Sequence, residues 1–257
     1  MNEYLPHYAD AIRFLDRDPY VNRELLLALC YEPVTSLRLA WAGGSVSGVL
    51  VRGPGPFNPD PDWLRIDARD ADAVHALMAG VALEPRLVVS IHRPWIGRLL
   101  SERYGLRPTG AGVYGYIVER AQLSPPHASE ARLLTASDSQ LVEQSGCGWT
   151  QSYFARLFEE GRRPWAIVRD GRIVSRASSG YPYAESEEVV GVWTHPQWRG
   201  HGLARQLVRA VAADIVKRFH YATYTTTYDN LASQAVARAV GFQPNFAADS
   251  LQMPPAN

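Results

Sequence analysis

The chain has 257 residues, 46% hydrophobic and 20% charged, with 26 basic side chains against 26 acidic ones. This is enough apolar material for one large core or two ordinary ones, and it excludes a disordered chain. The balanced charge leaves no overall field to draw the chain to nucleic acid or an anionic membrane. No signal-peptide pattern and no run of about 18 apolar residues occurs, so a cytoplasmic protein with neither partner is expected. Cys30 and Cys147 stand far apart and outside metal-ligand spacing. Ordinary reduced thiols and no metal site are expected.

In chain order, the first clear signal is a pair of strand-like runs about a glycine turn, LAWAGGSVSGVLV, with Gly43-Gly44 at the tip. Both glycines tolerate the positive φ that a tight hairpin requires. The proline-rich stretch GPGPFNPDPDW, residues 53–63, reads as an irregular loop of the kind that borders pockets. Trp63-Leu64-Arg65-Ile66-Asp67 then leads directly to a helix beginning at Asp70-Ala71-Asp72, whose acidic start suits the helix dipole and repels phosphate. WIGRLLSERYGLRP reads as a helix closed by Gly105 and blocked by Pro108. The Pro-rich and small-polar stretch AQLSPPHASE marks a linker, giving domains at 1–122 and 130–257 with the linker at 123–129.

The second half repeats the order. WAIVRDGRIVSRAS is a hairpin about Asp170-Gly171, and SQAVARAVGFQP is a helix closed by Gly241 with Pro244 after it. The spacing between hairpin and glycine cap is similar in both halves, as expected of a diverged tandem repeat. Between these landmarks, Val189 to Phe219 reads strand, glycine turn, helix. Leu203, Leu207, Val211 and Ile215 form an apolar stripe while Arg205, Arg209, Lys217 and Arg218 fall mainly off it. The first N–H groups of a helix lack internal partners and sit at the positive end of its dipole. Gly200 and Gly202 let the backbone come close to an anion, and Arg199 adds a charge-assisted donor.

Gln197-x-x-Gly200-x-Gly202 followed by Leu203-Ala204, the strand Val192-Trp193-Thr194-His195-Pro196 before it, and Asp229-Asn230-Leu231-Ala232-Ser233 with Gly241-Phe242 after it occur in this order. Together they resemble the acyl-CoA signature of the GCN5-related N-acetyltransferase (GNAT) superfamily, in a tandem or glycine-N-acyltransferase-like arrangement. The resemblance covers residues 130–250 and reaches the first half only through element order. It implies an α/β protein of two GNAT-like domains, each a mixed central sheet flanked by helices, the N-terminal one degenerate. It further implies acetyl-CoA or another acyl-CoA as co-substrate. Backbone amides from Arg199 through Gly200, His201, Gly202 and Leu203 to Ala204 would hold its diphosphate. Val192, Trp193 and Thr194 would pair with the pantetheine, and Asn230 and Ser233 would contact that arm. Helix capping is the competing role for Asn230 and a first-turn position the one for Ser233.

The resemblance implies transfer of an acetyl group to the primary amine of a small or amino-acid-like acceptor by direct attack. An amine with pKa about 10.4 must lose a proton first. Glu185, Glu187 and Glu188 precede the strand, and Glu188 is selected because alternation puts it on the face of Val190 and Val192, with Glu187 opposite. The competing reading is a solvated acidic loop after Tyr181-Pro182-Tyr183. The position where family members commonly carry a tyrosine acid is Ala237. Of Tyr221, Tyr224 and Tyr228, the last is nearest Asn230 and is taken as the substitute, although strand aromatics normally pack. The alanine leaves open a second function, a non-catalytic acyl-CoA binding or sensing protein. A nucleotide site is disfavoured because the turn lacks a Gly-Lys-Ser/Thr ending. His195 and His201 belong to the turn, Trp165, Trp193 and Trp198 hint at an apolar pocket, and the first half, lacking any counterpart of 197–204, is expected to line the acceptor site.

Overall fold

In the computed structural model, residue 2 and residues 5–54, 62–125 and 129–254 are described. The first half contains α1 (Tyr8–Leu15), α2 (Arg23–Tyr31), β1 (Ser36–Ala42), β2 (Ser45–Pro54), β3 (Asp62–Ala68), α3 (Ala71–Met78), β4 (Val88–Ile91), α4 (Pro94–Tyr104) and β5 (Arg107–Glu119). A two-residue strand, β6 (Arg132–Leu133), precedes the second half. There α5 (Ser139–Ser145), α6 (Gln151–Glu159), β7 (Pro164–Arg169), β8 (Arg172–Tyr183) and β9 (Ser186–Thr194) are followed by α7 (Leu203–Arg218), β10 (Tyr221–Thr227), α8 (Leu231–Val240) and β11 (Gln243–Gln252). Apart from β6 and short 3-10 turns the two halves have the same order, two helices, three strands, then helix, strand, helix, strand. This is the repeat that the paired hairpins and glycine caps announce.

Among the described residues the strand order is β1-β2-β3-β4-β11-β5 in one unit and β5-β10-β9-β8-β7-β6 in the other, each a mixed sheet flanked by helices. The α/β class with a mixed central sheet is therefore present. The chain divides into two compact units that are not consecutive lengths of sequence. Unit 1 is 1–114 with 227–229 and 245–257, and unit 2 is 115–226 with 230–244. The reason is a trade of last strands: β4 pairs with β11, through Asp249↔Ile91 and Leu251↔Val89, and β10 neighbours β5.

Local chemistry explains the elements. Gly43 and Gly44 have φ of 56° and 77°, and Asp170 and Gly171 of 48° and 71°, the double left-handed turn that matches strand twist. In α7 the stripe of Leu203, Leu207, Val211 and Ile215 is buried, joined by Val208, Ala212 and Val216, and it closes over β8 and β9. Asp70 caps α3 by accepting from the Ala73 amide at 2.8 Å. In unit 1, Leu50, Ile66, Val89, Leu100 and Leu251 share one core with α3 and α4. Residues 53, 54, 62 and 63 of the proline-rich stretch belong to strands; the rest of that predicted loop lies outside the described residues, as do 126–128 of the predicted linker. Among the described residues Cys30 and Cys147 form no disulfide, and no helix is long and apolar enough to cross a membrane.

Gly241, at φ 110°, closes α8, and a Cβ there would collide with the Gln122 carbonyl oxygen. Gly161 has φ 69° with open space around it. Gly241→Ala should therefore cost about 3 kcal/mol, left-handed strain plus steric displacement, and Gly161→Ala only about 1 kcal/mol. Urea unfolding of the two variants checks the difference.

Candidate functional site

The strands of unit 2 make an opening. β9 and β10 run parallel, but their ladder spans only Tyr221↔Ser186, Ala222↔Glu187 and Thr223↔Glu188. Beyond Glu188 the edge of β9 that faced β10 has no ladder partner among the described residues, while its other edge stays paired to β8 through Val189, Val190, Trp193 and Thr194. Between Val190 and Trp193 two residues of β9 oppose the single Ala177, a bulge built on Gly191 at φ 63°. Arg176 holds it in place. Its guanidinium donates to the Gly191 carbonyl at 2.6 Å and the Cys147 carbonyl at 2.7 Å, and lies over the Trp149 and Trp193 rings.

The bulge also resets side-chain alternation. Val189 and Val192 pack against the α7 core, whereas Trp193 packs against the cluster of α5 and α6. The shared face expected for Glu188, Val190 and Val192 therefore stops at Gly191, because an extra residue shifts the period by one.

A cavity of about 570 Å3 lies in this opening. Its strand wall is Val192, Trp193 and Thr194. The turn contributes Trp198, Arg199, Gly200 and Gly202. Gly200 and Gly202 have φ of 82° and 75°, which glycine alone adopts readily, and a Cβ on Gly200 would meet open space. The first helical bond of α7 runs from the Gln206 amide to the Gly202 carbonyl at 3.1 Å, so the amides of Leu203, Ala204 and Arg205 precede the intrahelical ladder. Leu203, Ala204 and Arg205 all line the cavity, with Arg199 and Arg205 as its two charges. Arg199 folds back to donate to the Thr194 carbonyl at 3.2 Å.

The far wall is Asn230, Ala232, Ser233 and Val236 of α8 with Tyr224 of β10. Asn230 Oδ1 accepts from the Ser233 amide at 3.0 Å, so it caps α8 and also faces the cavity. Tyr224 and Ser233 hydroxyls are 2.6 Å apart. Burial pushes the Tyr224 phenol above its ordinary value, the Ser233 contact opposes this, and the charge of Glu188 adds to it.

Of the predicted cofactor-binding residues, the cavity gathers all but Gln197 and His201. Those two are exposed on the turn, where His201 Nδ1 lies 2.9 Å from the Arg199 carbonyl and the Gln197 amide donates to His195 at 3.3 Å. Trp165 packs against the α7 core and does not line the cavity. Tyr228 is elsewhere: it belongs to unit 1, donates to Asp249 at 2.8 Å and packs its ring on Tyr114. Ala237 is fully buried in the α7 core.

The acidic residues separate clearly. Glu185 is exposed, while Glu187 and Glu188 are buried strand residues instead of loop. Glu187 accepts from Arg218 at 2.5 Å. Glu188 points to the opposite face, 7% exposed, at the last paired position before the strands part. The cavity also takes in Trp198, which the sequence offered only as a hint of an apolar pocket, Tyr224, which was weighed and set aside for Tyr228, and Arg205, Ala232 and Val236, to which it gave no site role. Arg205 was legible as the third residue of a helix whose start was already located, and Val236 lies one turn beyond Ser233.

Residues 130–242 match the model of the acetyltransferase (GNAT) family. No curated protein sequence matches the chain. Among solved structures it is similar to a GCN5-related N-acetyltransferase from Sphaerobacter thermophilus, TM-score 0.68 at 14% identity, covering 98% of this chain and 96% of that one. A GNAT-family acetyltransferase from Colwellia psychrerythraea gives 0.67 at 11% identity, covering 97% and 98%. A tandem GNAT protein from the clavulanic acid biosynthesis pathway gives 0.54 at 14%, covering 92% and 89%. At these identities the likeness is one of fold.

The capping role of Asn230 can be isolated. Asn230→Ala should lower unfolding free energy by about 1 kcal/mol, and Asn230→Asp, which keeps the acceptor, by less than about 0.5 kcal/mol. Thermal unfolding of both variants measures this.

Proposed function

Residues 130–242 belong to the GNAT acetyltransferase superfamily, and on that footing we propose that the chain transfers an acetyl group from acetyl-CoA to the primary amine of a small or amino-acid-like acceptor by direct attack. The observation that carries the reading is the coincidence of three features at one cavity: parted parallel strands, a positive-φ glycine turn, and a helix start with its amides still to be paired. An extended amide-bearing arm suits the unpaired edge of Val192 to Thr194, and a diphosphate suits the amides from Gly200 to Arg205. Arg199 and Arg205 add charge-assisted donors. The Asn230 side chain, its oxygen engaged in the cap, still offers amide donors toward the arm.

The chemistry needs an amine without its proton, a carbonyl within its reach, and an acid for the departing sulfur. Glu188 is the base in this reading, since Glu187 is committed to Arg218. The amine nitrogen forms a bond to the thioester carbonyl carbon as Glu188 takes the proton, directly or through water. The C–S bond then breaks and the sulfur receives a proton. Tyr224 is better supported for that last step than Tyr228, because it lines the cavity and its raised pKa keeps the phenol protonated at working pH. The non-catalytic reading draws support from Ala237, buried and without a hydroxyl at the position of the usual family tyrosine.

Release of CoA thiol from acetyl-CoA, with and without pooled primary amines, separates the two. Amine-dependent release that Gly202→Glu abolishes in a folded protein supports transfer; tight acetyl-CoA binding with no release by any amine supports the sensing alternative. Within the transfer reading, Glu188→Gln should lower kcat about 100-fold. Tyr224→Phe should lower kcat about 10-fold with little change in the KM for acetyl-CoA. Because burial raises the Tyr224 pKa, any alkaline decline from this group in the wild-type profile should lie above that of an ordinary tyrosine. Steady-state kinetics across pH checks all three.

A further inference from the structure

Unit 1 has a cavity of its own, about 550 Å3, bordered by the sheet and by Glu24 of α2. Its floor is made of small residues: Ser90 on β4, Ala248 and Ser250 on β11, Gly110 and Gly112 on β5. Small side chains on three neighbouring strands leave room that a packed core would fill. Trp63 and Tyr228 form aromatic walls, and Glu24 and Asp229 are the charged residues lining it. Among the described lining residues there is no lysine, arginine or histidine. The charge is opposite to that of the unit 2 cavity, whose charged lining residues are both arginines.

Glu24 is built as an anchor. Its Oε2 lies 2.8 Å from the Ser90 hydroxyl and 2.9 Å from His92 Nε2, and Oε1 takes neither contact. Burial alone would raise its pKa; the His92 bond, the charges of His92 and Arg65 and the Ser90 hydroxyl outweigh this and bring it down to about 2. The carboxylate is therefore ionised at any working pH. Arg65 behind it is matched by Glu32 at 2.8 Å. The Tyr228 ring is fixed by its bond to Asp249 and by Tyr114, 4.4 Å away between centroids. A fixed carboxylate in a cavity that aromatic side chains also line is the chemistry that receives an ammonium or guanidinium group.

We propose that this cavity is a binding site for a small organic cation, anchored on Glu24 and enclosed by Trp63 and Tyr228. The proposal stands independently of acyl transfer by unit 2. The test is calorimetric titration of the full chain with agmatine, putrescine, choline and arginine methyl ester, with succinate and 1,4-butanediol as anionic and neutral controls. At least one cation should bind with Kd below about 1 mM, more weakly as salt rises, and neither control should bind. Glu24→Gln, which keeps the shape, should weaken that cation at least about tenfold. Ala111→Trp, which fills the cavity from an exposed position on β5, should abolish its binding while acetyl-CoA binding is unchanged. The proposal is overturned if no cation binds better than the controls, or if a cation binds Ala111→Trp as tightly as wild type. Unchanged binding to a folded Glu24→Gln protein overturns it as well. Ala111→Trp keeps the test decisive if loss of the buried Glu24 charge prevents folding.

Discussion

Strands β9 and β10 of unit 2 part after Glu188 and Thr223, and the site depends on that separation. Backbone amides and carbonyls at a sheet interior need partners, and a ladder that stops after three pairs leaves a strand edge able to receive an extended ligand. The parting is built in by residues of specific kinds. Gly191 supplies the positive φ of the bulge. Arg176 ties the Gly191 carbonyl to Cys147 and stacks on two tryptophans. α7 is then delivered with its N-terminus at the open end, so one distortion leaves a strand edge and a helix start at the same cavity. It also puts Glu188, the last residue of the paired segment, at the vertex.

How much of this was legible follows from the range of the interactions. The hairpins at Gly43-Gly44 and Asp170-Gly171, the caps at Gly105 and Gly241 and the stripe of α7 depend on near neighbours in sequence, and all were read correctly. The repeat was legible for the same reason. The trade of β5 and β11 was not, because strand partnership is decided by residues more than a hundred positions apart, such as Asp249 and Ile91. The bulge at Gly191 escaped because an isolated glycine in a strand reads as weak β propensity, and alternation carried past it misassigned the face of Val192. Tyr228 was preferred over Tyr224 for its nearness to Asn230 in sequence. Along β10, however, Tyr224 shares the face of Ala222 in the α7 core, while Tyr228 joins unit 1.

The two cavities differ in charge and are built from different elements: unit 2's from β9, the glycine turn and the start of α7 with α8, and unit 1's from β3, β4, β5 and β11 with Glu24 of α2. Where unit 2 follows its third strand with Gly200-x-Gly202 and arginines, unit 1 follows its third strand with Asp70, whose carboxylate caps α3. That cap occupies an amide which the other half leaves available, and it adds negative charge where an anion would approach. The repeat is preserved in element order and changed in the short turn after the third strand.

The central claim is that an acyl-CoA lies along the parted edge of β9 and against the start of α7. Amide hydrogen exchange of the full chain with and without saturating acetyl-CoA tests it residue by residue. The account predicts added protection at 192–194 and 200–205 and no change at the turn of the first hairpin, Gly43-Gly44. Saturable binding with no added protection at 200–205, or no binding at all, would contradict it.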